Sequence, residues 1–202
     1  MADVSVPFKN HNYIEKVAQD FLKQYHPGDT YPTPIEDIIE LKMGINIIPI
    51  PDLSEAIEDV GGFISSDLLS ISIDRYVYMN VRTRARFTFA HEIGHAIMHK
   101  DIYENGKFES SEEWKEFMDS FPEKEWSWLE WQANQFAGLI LVPTHHLQKR
   151  FKYHVKQVKD LGIENEDVIM DRVTELLAKD FVVSRGVIQI RLKKETDSGN
   201  IP

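Results

Sequence analysis

His91 and His95 stand four positions apart with a glutamate directly after the first, in the run His91-Glu92-Ile93-Gly94-His95. On a helix, positions i and i+4 share one face a turn apart, so both imidazoles can aim at one ion. Glu92 falls about 100° further round, beside such an ion and not on it, where a carboxylate can take a proton from metal-bound water. Phe87, Phe89, Ala90, Ala96 and Ile97 make the surrounding helix apolar over much of its circumference. Burying three polar groups there without partners would cost several kcal/mol, and a shared metal satisfies all three. The 202 residues include no cysteine, so any metal must rest on His, Asp or Glu.

A catalytic zinc site needs a third protein ligand and one open position. His99 continues the series, but it lies about 12 Å from His91 along a straight helix, too far for both to converge on one ion. It is expected instead to cap the helix end or to line the rim of the site. Six residues after His95, where another extended pattern has a histidine, the chain has Asp101. The next helical stretch does better. Glu130 can give a carboxylate oxygen to the metal, and Asn134, one turn on, can accept a hydrogen bond from the far nitrogen of a ligating histidine. Ala133 and Ala137 leave a small-residue flank for close helix packing, and Gly94, about 1 kcal/mol worse than Ala in a helix, points to the same closeness.

The elements that must hold these residues read as follows. Residues 11–25 carry apolar positions at helical spacing, and Thr33-Pro34 opens a second helix to about Met43, ended by Gly44. Residues 45–50 read as a strand kept at a sheet edge by Pro49. Residues 61–64, 69–74 and 76–81 read as further strands, the last two by alternation. Helices follow over 83–99, with Phe89, Ile93 and Ile97 in one stripe, and over 127–141. The remainder is helical in two or three pieces, the last capped by Ser184. The expected class is α+β, with a small antiparallel or mixed sheet packed on helices and a helical C-terminal part. The expected division is a core over 1–145, a helical subdomain over 146–195 and a flexible tail over 196–202.

The net charge of -10 argues against a nucleic-acid-binding surface over the whole protein. Between Asp101 and Glu130 ten acidic residues face three basic ones, which marks 101–127 as an acidic insertion, solvated or acting as a lid. All four tryptophans (114, 126, 128 and 131) fall in or beside it, as core anchors or as groove walls. A Ser184-capped helix bearing Arg185, Gln189 and Arg191 loosely suggests helix-turn-helix, but Val187, Ile190 and Leu192 look like packing positions, so direct nucleic-acid contact is not expected. No run of about 18 apolar residues could span a bilayer, and the first residues carry no basic start followed by an apolar stretch. With no cysteine, these features set the expectation of a cytoplasmic protein.

The run from Arg86 to His99, and the run from Glu130 through Ala133-Asn134 and Phe136-Ala137 to Pro143, closely resemble two motifs of the ImmA/IrrE family of metallopeptidases. The likeness extends loosely from Ile35 to Leu192. It implies a zincin-like core holding one zinc ion on His91, His95 and Glu130, with Glu92 as catalytic base and a zinc-bound water as nucleophile. It also implies a protein substrate, of the helix-turn-helix regulator kind that family members cleave to relieve repression. The insertion from Asp101 to Ser127 is longer and more acidic than is usual between the two motifs. The competing reading is a metal-stabilised regulator that sequesters a repressor or toxin-type partner without cutting it. Six side chains are conceivable oxyanion donors: His99, Tyr103, Tyr76, Tyr78, His145 and His146. A peptide substrate is expected to add to a sheet edge near the metal helix, formed by residues 71–80.

Overall fold

The computed structural model describes residues 5–56, 60–108 and 110–201. Asn10 accepts a hydrogen bond from the Tyr13 amide and so starts α1 (His11–Tyr25), whose Ile14, Ala18 and Phe21 face inward. Next, α2 (Ile35–Asp37) widens into a π-helical turn (Ile38–Met43) that buries Ile38 and Ile39. Gly44, at φ 70°, closes it in the left-handed region. Then come β1 (Asn46–Ile50), α3 (Leu53–Ala56), β2 (Gly62–Ile64), β3 (Ser70–Asp74) and α4 (Arg75–Asn80). The strands form one mixed sheet in the order β1-β3-β2, with β1 parallel and β2 antiparallel to β3. Pro49 sits on the edge strand, as its missing N–H requires.

Two expectations fail here. Residues 76–81 do not form a strand: Arg75–Asn80 is helical because the Asp74 carboxylate accepts from the Val77 and Ser54 amides at 3.0 Å each and caps a helix. The alternation was that of a short helix with Val77 buried and Tyr76 and Met79 in solvent. It follows that 71–80 is no sheet edge. β3 is the central strand, and the edges are β1 and β2.

The two long central helices are α5 (Arg82–Met98) and, after α6 (Lys100–Gly106) and α7 (Ser111–Asp119), α8 (Glu123–Leu141). They touch at Gly94, where an added Cβ would lie 3.2 Å from the Ala133 Cα and from the Phe136 ring. Phe89 and Ile93 are fully buried, whereas Ile97 of the expected stripe is 37% exposed. The acidic stretch is folded. Exposed charges such as Asp101, Glu104, Glu112 and Glu116 surround an aromatic chain running Tyr103–Phe108–Phe117–Phe121–Trp126 at centroid spacings of 5.1–6.2 Å. Trp114 stacks on Phe63 of β2 at 5.1 Å.

The C-terminal part is α9 (Thr144–Asp160), α10 (Glu166–Phe181) and α11 (Arg185–Asp197), the last capped by Ser184 through the Val187 amide. Arg191 is buried, bonded to Glu195, Thr144 and the Val142 carbonyl, and so locks α11 to the α8–α9 junction. Residues 198–201, expected as part of a tail, turn back on α11. Asn200 bonds Glu195, and Ile201 is buried. Among the described residues, no helix is long and apolar enough to cross a membrane. Because Ala133 backbone cannot give way at Gly94, Gly94→Val is expected to lower unfolding stability by about 1–3 kcal/mol in urea denaturation.

Candidate metal centre

The α5–α8 contact sets the site. With Gly94 against Ala133, the face of α5 bearing His91 and His95 lies one turn from Glu130 on α8. His91 Nε2 lies 2.8 Å from His95 Nε2, and the two nitrogens lie 3.3 Å each from one or the other carboxylate oxygen of Glu130. Bonds of about 2.0–2.1 Å around a tetrahedral ion would separate ligand atoms by about 3.3–3.4 Å, so the three atoms fit one ion with little adjustment.

The hydrogen bonds behind the rings orient them for that use. Asn134 Oδ1 can only accept, so His91 Nδ1 at 3.0 Å carries the proton. Gln132 Oε1 likewise accepts from His99 Nε2 at 3.2 Å, which leaves His99 Nδ1 to accept from His95 Nδ1 at 3.1 Å. Gln132 is itself held by the Pro7 carbonyl. Both Nε2 atoms therefore turn lone pairs toward Glu130 when their rings are neutral. His99 does cap the end of α5, its amide donating to the His95 carbonyl, but it lines no rim: its side chain is buried behind His95, and burial pushes its pKa down to about 3.

Glu92 is buried beside the cluster, with Oε2 accepting from the Ile64 amide at 3.0 Å. Burial, with Glu130 nearby, raises its pKa to about 8 in the metal-free protein, against the pull of His91 and of the Ile64 bond. Burial also opposes charge on His91, but the Glu130 hydrogen bond and charge prevail and raise it to about 9. His95, desolvated and beside His91, falls to about 4. The two histidines hold Glu130 well below the usual carboxylate range despite its burial.

A pocket of about 440 Å³ opens over these groups, walled by Phe87, Trp114, Trp126 and Tyr103, with Arg84 and Thr88 at its side. Of the six conceivable oxyanion donors, only Tyr103 lines it. Burial and the neighbouring glutamates keep its phenol protonated. Tyr76 points to solvent, Tyr78 packs edge-on against Phe89, and His145 and His146 sit on Asp29. β2 borders the same pocket. Gly62 has no room for a side chain, since a Cβ would lie 2.5 Å from the Ser72 carbonyl and 2.8 Å from Thr88 Cγ2. Sequence reasoning does not find Gln132 or the Ile64 amide. A glutamine on the buried face of α8 was the available signal, because buried amides require partners.

A sequence profile of the IrrE N-terminal-like domain, a peptidase family, matches residues 42–193. No curated protein matches the sequence. Among solved structures, a Mycobacterium tuberculosis transcriptional regulator shares the fold with a TM-score of 0.56 at 13% identity, over 90% of this chain and 47% of that one. The chain thus spans about half the length of that regulator.

Metal uptake must displace the proton on His91, and a nearby cation also favours ionised Glu92. Binding of one zinc ion near pH 7 is therefore expected to release one to two protons. The release should fade as pH rises past about 9, where His91 is already neutral. Calorimetric titration in buffers of different ionisation enthalpy reads this directly, and release of none at pH 7 would contradict the site.

Proposed function

The chain belongs to the IrrE N-terminal-like family of peptidases, and on that premise we propose that it is a zinc-dependent endopeptidase acting on a regulatory protein in the cytoplasm. The observation that carries the reading is the convergence of His91, His95 and Glu130 with a buried Glu92 at their side. When bound, zinc supplies Lewis acidity toward both water and the scissile carbonyl.

The remaining work falls to this chain's side chains. His99 and Asn134 hold the two imidazoles in the tautomer that leaves Nε2 free. Glu92 takes the proton of the attacking water and passes it to the leaving amine. A carboxyl whose surroundings raise its pKa toward neutrality is suited to carry a proton in both directions. Its second oxygen stays anchored by the Ile64 amide, so the free oxygen keeps one direction. Tyr103, held as a protonated phenol in the pocket, donates to the developing oxyanion. Phe87, Trp114 and Trp126 exclude water and take apolar substrate side chains. The peptide lies along the free edge of β2, where backbone pairing orients it without regard to sequence.

A helix-turn-helix regulator as substrate is supported by the family resemblance, and a place in transcription control agrees with the shared fold of the mycobacterial regulator. The test is incubation of the zinc-loaded protein with a helix-turn-helix regulator encoded beside it. Cleavage is expected to vanish in Glu92→Gln while zinc content is unchanged, and Tyr103→Phe should lower kcat by about 10²–10³-fold. Undiminished cleavage by Glu92→Gln would overturn the assignment. Tight regulator binding with no cleavage by the wild type would favour sequestration instead.

A further inference from the structure

We propose a second metal site, built from Asp29, His145 and His146 and suited to a divalent transition ion of the zinc, nickel or copper kind. It shares no residue with the cluster on α5 and α8. His145 and His146 occupy the first turn of α9, and Cα–Cβ bonds tilt toward a helix N-terminus. Their side chains therefore hang over the helix end, where the turn after α1 carries Asp29.

Asp29 is a non-glycine residue in the left-handed region, at φ 47°, and presents its carbonyl and its carboxylate to the same histidine. His146 Nε2 lies 2.9 Å from that carbonyl oxygen and 3.1 Å from Oδ1, and His145 Nε2 lies 3.0 and 2.9 Å from the two carboxylate oxygens. Both imidazoles thus offer the same ring nitrogen to a single residue. The separations fall a few tenths of an ångström short of the about 3.3–3.4 Å between tetrahedral ligands with bonds of about 2.0–2.1 Å, so a modest opening admits an ion.

The site is partly preorganised. The His146 side chain is 12% exposed, and its ring is held against Tyr31 at 4.9 Å, while the more exposed His145 is held by both carboxylate oxygens of Asp29. Two imidazoles and a carboxylate select zinc and its neighbours over calcium and magnesium, which prefer all-oxygen shells. A cavity of about 510 Å³ lined by Asp29 and His145 lies alongside and leaves room for water to complete the coordination. A bound ion would tie the turn after α1 to α9. The same turn leads to Thr33, whose hydroxyl donates to the Ile140 carbonyl and whose carbonyl accepts from Arg86. The clamp therefore bears on α5 and α8 together.

The test is equilibrium dialysis of the full chain against Zn²⁺, read as ions per chain. Wild type is expected to take up two. His145→Ala and Asp29→Ala, at side chains 59% and 57% exposed, should each take up one, as should His91→Ala. A zinc-dependent rise in Tm should persist in His91→Ala and disappear when His145→Ala is added. The two variant classes fail separately: loss of an ion in His91→Ala reports on the α5–α8 cluster alone. No ion in His91→Ala at saturating free zinc, or the same uptake in His145→Ala as in wild type, would overturn the proposal.

Discussion

The distance between α5 and α8 at Gly94 is the constraint on which the site depends. Ligands from two separate helices can share an ion only if the backbones approach until His91, His95 and Glu130 place their donor atoms about 3 Å apart. A side chain at position 94 would meet the Ala133 backbone, which has no freedom to retreat. The glycine weakens α5 as a helix, and the loss is offset by burial of Phe89, Ile93 and Phe136 around the contact. A second close approach accompanies the first. Gly62 lets β2 lie against Thr88, which puts the Ile64 amide on Glu92. Two glycines thus place the candidate ligand set and the candidate base independently.

Behind the ligands, the protons are arranged as tightly as the atoms. The chain His95–His99–Gln132–Pro7 runs from the metal face of α5 to the segment before α1, and each link permits one direction of donation. Asn134 does the same for His91 in a single step. Rings held this way lose little freedom on metal binding, so more of the binding free energy remains for holding the ion. The negative charge of Glu130, kept ionised by the histidines, is then neutralised by the cation and not left buried.

How much of this was legible in the residues depends on range. The i, i+4 pairs His91/His95 and Glu130/Asn134 are local, and a helical period places them without knowledge of the fold. Gly94 with Ala133 and Ala137 announced the helix contact, because small residues are informative where backbones must meet. The strand misread at 76–81 shows the limit: six alternating residues also fit a short helix, and only the cap supplied by Asp74 decides between them. Pro49 marks β1 as an edge locally, but that β3 is central and β2 the other edge is a long-range matter of pairing order. The place of His99 behind His95 depends on Gln132, which reaches it from another helix. The meeting of Asp29 with His145 and His146 spans more than a hundred positions and was equally out of reach.

The acidic segment shows how composition misleads when it is read without packing. Its charges suggest a solvated insertion, yet its aromatic residues form a continuous row whose two ends, Tyr103 and Trp126, line the pocket, while Trp114 stacks separately on β2. Charge density describes only the outer face of α6 and α7. The inner face is as apolar as a core, and Trp114 and Trp126 belong both to that core and to the pocket wall. For Trp114 and Trp126 the roles of anchor and wall coincide, whereas Trp128 packs on Phe8 and Trp131 away from that pocket. A side chain stacked on a strand edge beside the base is rigid because it is packed, and that rigidity is what lets it shape a pocket.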